Sequence, residues 1–105
     1  MAARSKSHPA VSAGYAQQEY RNYLSMIASG YPVLAEPARD MAEAFGFPTD
    51  DLEVAVRDGR LRLYESYLIL LKSGYERFAE PARTLAAESG FDMTPLEALL
   101  QQARQ

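Results

Sequence analysis

One stretch of this chain occurs twice, and it limits the possible folds more than any other feature. Tyr20 to Phe47 reads YRNYLSMIASGYPVLAEPARDMAEAFGF, and 44 residues on Tyr64 to Phe91 reads YESYLILLKSGYERFAEPARTLAAESGF. Of the 28 aligned pairs 14 are identical, without a gap. They include Tyr20/Tyr64, Tyr23/Tyr67, Gly30/Gly74, Tyr31/Tyr75, Ala35–Arg39 on Ala79–Arg83, Gly46/Gly90 and Phe47/Phe91. Self-similarity at a fixed period means one supersecondary unit used twice. The period suits neither tetratricopeptide nor ankyrin repeats, and two units are too few for a stable solenoid. The prediction is an all-α fold of about six helices, two duplicated three-helix units packed as one compact bundle. Their apolar faces are expected to cover one another about a pseudo-twofold axis.

Each unit reads as a long helix, a shorter one and a short one. The first should begin near Ser12, with Tyr20, Tyr23, Leu24, Ile27 and Tyr31 at the three- and four-residue spacing of one apolar face. Gly30 ends it as a left-handed glycine, and Pro32 supports the stop. In the second copy Glu76 replaces Pro32, so a kinked continuation through Gly74 is an alternative there. The shared Ala-Glu-Pro-Ala-Arg places Pro37 and Pro81 in the first turn of the second helix, where an N–H has no partner to lose. Glu36 and Glu80 then favour the positive end of the helix dipole, and Arg39 and Arg83 sit one turn on, positioned to pair with them. The alternative for these two Glu/Arg pairs is a shared anion site. Gly46 and Gly90 should end these helices left-handed, with Phe47 and Phe91 buried. Thr94-Pro95-Leu96-Glu97 has the form of a capping box, as does Asp50-Asp51-Leu52-Glu53, and Gly59 is read as the stop after it. Residues 1–11 read as a disordered tail, and the two units run from about 12 to 58 and from 59 to 105 in a single domain.

Composition narrows the chemistry. No cysteine is present, so disulfides and thiolate metal sites are excluded. The only histidine, His8, falls in the expected tail. With no glycine-rich phosphate loop and no His/Glu pair at ligand spacing, no catalytic residue, metal or cofactor is assigned, and the chain reads as a non-enzyme. The net charge is −3, and −5 without Arg4 and Lys6, a poor match for phosphate backbones. No apolar run approaches the ~20 residues that span a bilayer, and the start lacks the apolar core of a signal peptide, so a cytoplasmic protein is expected.

Two patterns suggest other classes. MAEAFGFPTDDLEVAV and LAAESGFDMTPLEALL fit helix-turn-helix spacing through Ala42, Gly46 and Leu52 and through Ala86, Gly90 and Leu96. A helix-turn-helix-like nucleic-acid-binding regulator is therefore an alternative function, opposed by the acids at the presumed reading helices, Asp50, Asp51, Glu53 and Glu97. GFPTDDLEVAVRDGRL and LKSGYERFAEPARTLAAESGF resemble the helix–Gly–helix pattern of the small helical alpha subunits of protocatechuate-type ring-opening dioxygenases. That resemblance covers less than half of the chain and assigns no residue a role. It implies a second alternative, a small helical subunit of an enzyme complex.

The remaining candidates lie on the surface. Six of the seven tyrosines fall in the first-helix stripes or the Ser-Gly-Tyr turns. Tyr20, Tyr23, Tyr64 and Tyr67 are read either as core, hydroxyl outward, or as an aromatic interaction strip. At 100° per residue Leu61, Leu63, Tyr64, Tyr67, Leu68, Leu70 and Leu71 share one apolar arc. Ile69 falls instead on the polar side, ringed by Arg62, Glu65 and Lys72, where the first copy has Ser25. Duplication preserves what a shared core needs, so an apolar residue in one copy only is read either as an ordinary exposed side chain or as the centre of a contact. The expected function is a small protein-binding adaptor or regulatory protein that docks on another protein, with a homodimer as the expected assembly.

Overall fold

The computed structural model describes residues 8–103. It is all helical: α1 (His8–Ala28), α2 (Ala35–Phe45), α3 (Asp50–Lys72), α4 (Ala79–Ser89) and α5 (Thr94–Ala103). Short 3₁₀ turns, Pro32–Leu34 and Glu76–Phe78, lead into α2 and α4. The all-α expectation holds, with five helices in place of six. Most of the expected tail, residues 1–7, lies outside the described residues, and α1 begins at His8 rather than at Ser12.

The missing break is at Gly59. The third helix of the first unit and the long helix of the second are one continuous α3, with Gly59 buried inside it. A Cβ built on Gly59 would lie 1.9 Å from the Ile27 carbonyl oxygen and 2.9 Å from its carbon. Gly59 is therefore a point of backbone contact between α1 and α3, not a stop, and only a residue without Cβ fits there. The start of α3 lies beside Tyr20, whose hydroxyl donates to the Pro48 carbonyl at 3.1 Å. Gly59 lies beside Ile27, so α3 runs along α1 in the same direction and continues past its end.

The other glycine stops are as expected. Gly46 (φ 73°) and Gly90 (φ 72°) are left-handed, and Phe47 and Phe91 donate back to the carbonyls of Ala42 and Ala86 at 2.9 and 3.0 Å. Gly30 and Gly74 have φ of 121° and 102°, and Tyr31 and Tyr75 return to Met26 and Leu70 at 3.3 and 3.0 Å. The second copy thus breaks without Pro32. Beside that turn the Arg77 guanidinium lies over the rings of Phe78 and Tyr75, 5.0 and 5.6 Å from their centroids.

Two apolar clusters form, one in each half. The first gathers Tyr20, Ile27, Ala38, Ala42, Leu52 and Ala55, and the second Tyr64, Ala82, Ala86 and Leu96. Ala38 and Ala42 on α2, and Ala82 and Ala86 on α4, are buried almost completely. Small residues on these faces let the helices lie close. Tyr20 packs on Phe47 at 5.1 Å between ring centroids, and Tyr64 on Phe91 at 5.5 Å. Both phenylalanines are half-buried rather than buried. The two faces do not close on one another. Among the described residues neither α1 nor α2 approaches α4 or α5, and α3 alone is shared by both clusters. The principal extents are 68 × 22 × 16 Å, so the molecule is about two helices deep across α3.

The helix starts depart from the expected capping boxes. Thr49 precedes α3 without a side-chain cap, and the Glu53 N–H bonds the Thr49 carbonyl at 3.0 Å. At α5 the Asp92 carboxylate takes the cap. It accepts from the Thr94 backbone N–H at 3.0 Å and from the Thr94 hydroxyl at 2.7 Å. Those two bonds, the backbone one first, hold the Asp92 carboxyl below its ordinary value of 3.8. A depressed carboxylate stabilises the fold fully above its unfolded value, and that contribution drains away as pH falls through the folded value. Thermal melts of wild type and Asp92→Asn should therefore differ at neutral pH and converge toward pH 2. A gap that stays constant across that range would show that the carboxylate charge is not what holds this turn.

Candidate functional site

The structure separates the candidate residues. Tyr20 and Tyr64 are buried at 6% and 3% exposure, and Tyr23 and Tyr67 are half-buried against the two clusters. These tyrosines form the inner face, not an aromatic strip. The Tyr64 hydroxyl donates to the Asp92 carbonyl at 3.0 Å, matching the Tyr20 bond in the first half. Burial, with the nearby acids Asp51 and Asp92, raises both phenols above their ordinary value, which keeps them protonated as donors. The tyrosines that do reach the surface are Tyr15 on α1 and, after the two glycines, Tyr31 and Tyr75.

Ile69 stands where the projection puts it, on the outside of α3, with 65% of its surface exposed. Arg62, Glu65 and Lys72 are exposed on the same side. Two apolar neighbours escaped the sequence reading. Val54 is 60% exposed, and Leu61, assigned to the apolar arc, is 42% exposed. At 100° per residue Val54, Asp58, Leu61, Arg62, Glu65, Ile69 and Lys72 fall within an arc of about 100°. The seven-residue step from Val54 to Leu61 was the available signal, hidden because Gly59 was taken to separate them.

This face runs the length of α3. Beside it a shallow depression of about 440 Å³ is lined by Ala28, Asp58, Leu61, Arg62 and Glu65. Among the described residues the ion pairs are Arg39–Glu53 and Arg83–Glu80. Asp58, Arg62, Glu65 and Lys72 make none, although Arg62 lies one turn from both acids. The face thus carries three exposed apolar side chains set among charges without an intramolecular partner.

The repeated Glu/Arg motif does not build a shared site. Arg83 pairs with Glu80 at 3.1 Å as expected, but Arg39 pairs with Glu53 on α3 at 2.8 Å instead of with Glu36. The Glu53 hydrogen bond and charge raise the Arg39 guanidinium above its ordinary value. Exposed pairs of this kind stabilise by at most about 1 kcal/mol. Glu36 and Glu80 lie on α2 and α4, which do not touch. The helix-turn-helix spacing corresponds to α2–Gly46–α3 and α4–Gly90–α5, and Asp50, Asp51, Glu53 and Glu97 are all exposed at the starts of α3 and α5. Among the described residues no polar or charged side chain is buried, no three potential metal ligands cluster, and no helix is long and apolar enough to cross a membrane. Comparison with protein families, curated proteins and solved structures finds no match to this chain.

Proposed function

We propose that this protein is a small adaptor or regulator that docks on another protein through the outer face of α3, without catalysis of its own. The observation that carries this reading is Ile69, 65% exposed on the last turn of a 23-residue helix. A single exposed apolar residue is ordinary, but Ile69 shares its face with Val54 and Leu61. The charges around them, Arg62, Glu65 and Lys72, suit the polar rim of an interface. A helix presents these groups with little ordering left to do on binding, which favours affinity.

Ile69→Lys tests the reading. The side chain touches no core cluster, so stability should change by no more than about 0.5 kcal/mol. Tagged wild-type protein and the variant are each used to capture partners from the cells that make the protein. Whatever binds wild type through this face should be lost with Ile69→Lys. At a protein concentration low enough for wild type to be monomeric, a variant that melts several degrees lower would make Ile69 part of the core. A variant that captures the same proteins at equal yield would remove this face from the docking function.

A further inference from the structure

We infer that the outer face of α3 binds a second copy of this chain, with the two α3 helices side by side and antiparallel. This rests on the docking reading above and names the occupant. The inference comes from the order of residues along the face. Val54, Leu61 and Ile69 are the exposed apolar positions, and Leu61 lies near the midpoint of the other two. Val54 and Ile69 are about 22 Å apart along the helix axis. A twofold axis passing between Leu61 and Arg62 sets Val54 of one copy against Ile69 of the second, at both ends. Leu61 of each copy packs at the centre.

The charges favour the same arrangement. That axis brings Asp51 opposite Lys72 of the second copy. Arg62 of the second copy enters between Asp58 and Glu65, and none of these three has an ion-pair partner within its own chain. Asp58 also meets Glu65 of the second copy across the axis, with one guanidinium from each copy between them. A parallel pairing sets Asp58 on Asp58, Arg62 on Arg62, Glu65 on Glu65 and Lys72 on Lys72, four like-charge contacts that oppose association. Antiparallel helices also place each positive N-terminal end beside a negative C-terminal end. The molecule is about two helices deep across α3, and among the described residues the end of α1 borders this face at Ala28 and Gly30 while leaving Val54, Leu61 and Ile69 exposed.

The absence of cysteine gives a clean test, because single cysteines can be introduced into the full chain without background. Light scattering over a concentration series should show wild type passing to twice the monomer mass, and Ile69→Lys should weaken that association at least tenfold. Under copper–phenanthroline oxidation, Leu61→Cys should form a disulfide-linked dimer with itself. Val54→Cys and Ile69→Cys should each form no disulfide-linked dimer alone and cross-link when mixed. Wild type that remains monomeric at several hundred micromolar overturns the inference, as does a dimer in which Leu61→Cys fails to cross-link. Efficient self-cross-linking of Val54→Cys would replace the antiparallel order with a parallel one and overturn it too. A monomer that still loses captured proteins on Ile69→Lys leaves the docking reading standing without the second copy. A dimer that captures other proteins regardless of Ile69 reverses that outcome.

Discussion

Gly59→Ala should be among the most damaging single-methyl changes this chain can undergo. In a solvent-facing helix the same change stabilises, because alanine has the better helix propensity by about 1 kcal/mol. At Gly59 the new Cβ would stand 1.9 Å from the Ile27 carbonyl oxygen, a backbone atom that cannot swing aside. That carbonyl also accepts from Gly30 and Tyr31 at 3.1 and 3.3 Å, so moving it disturbs the end of α1 as well. The helices must separate, and overpacking of this kind costs about 1–3 kcal/mol, with the loosened neighbouring cluster adding to it. For a chain of this size about 2 kcal/mol lowers Tm by roughly 8–16 °C. Gly14→Ala is the control, since a Cβ there meets nothing within 4 Å. It lies in the same class of helix and should raise stability by about 0.4–1 kcal/mol. If both substitutions stabilise, α1 and α3 do not meet at Gly59. The second half shows what relieves the constraint. Ala103, 44 residues on, occupies the corresponding place, and a cavity of about 170 Å³ opens between it and Leu71. α5 can sit farther from α3 because it serves one cluster only, whereas α3 is held by two.

Leu52→Ala and Leu96→Ala should each cost about 2–5 kcal/mol. Both leucines have 0% exposure, and each occupies the centre of one cluster. Leu52 shares its cluster with Ala38, Ala42 and Ala55, and Leu96 with Ala82 and Ala86. Alanines have no rotamers with which to fill a void, so the side of the cavity that they line persists. Total stability of a small domain is about 5–15 kcal/mol, so either change removes a large part of it. Denaturant unfolding gives the totals, and hydrogen exchange shows where the loss falls. With Leu96→Ala, amides of α4 and α5 should lose protection before those of α2. Because the clusters share only α3, the double variant should lose the sum of the single losses within about 0.5 kcal/mol. A loss below 1 kcal/mol from either single change would mean that its cluster is not the core. Strong coupling in the double variant would show that α3 transmits packing between the halves.

How much of this was legible beforehand can be followed residue by residue. The sequence alone determined that the chain is helical and where most helices end. Gly30, Gly46, Gly74 and Gly90 act through positive backbone torsions that need no tertiary partner, so their role can be read locally. It also determined the outward position of Ile69, because α3 is regular and a single projection serves that part of it. Tertiary structure alone decided what Gly59 does. A glycine in a helical pattern ends the helix or admits a neighbour according to what lies opposite, and Ile27 is 32 positions away. It likewise decided that Arg39 turns to Glu53 rather than to Glu36, and that Asp92 caps α5 in place of Thr94. These groups choose among partners within reach, and fold geometry sets the reach. The position of Leu61 has the same origin. Along α3 the buried side passes from Leu52, Ala55 and Gly59 to Tyr64, Tyr67 and Leu71, a rotation of roughly 120° as the helix leaves one cluster for the other. Leu61 lies about 90° from the second buried side and about 150° from the first, and belongs to neither. One helical wheel assumes one buried side, and only the packing of two clusters on one helix turns that side partway along.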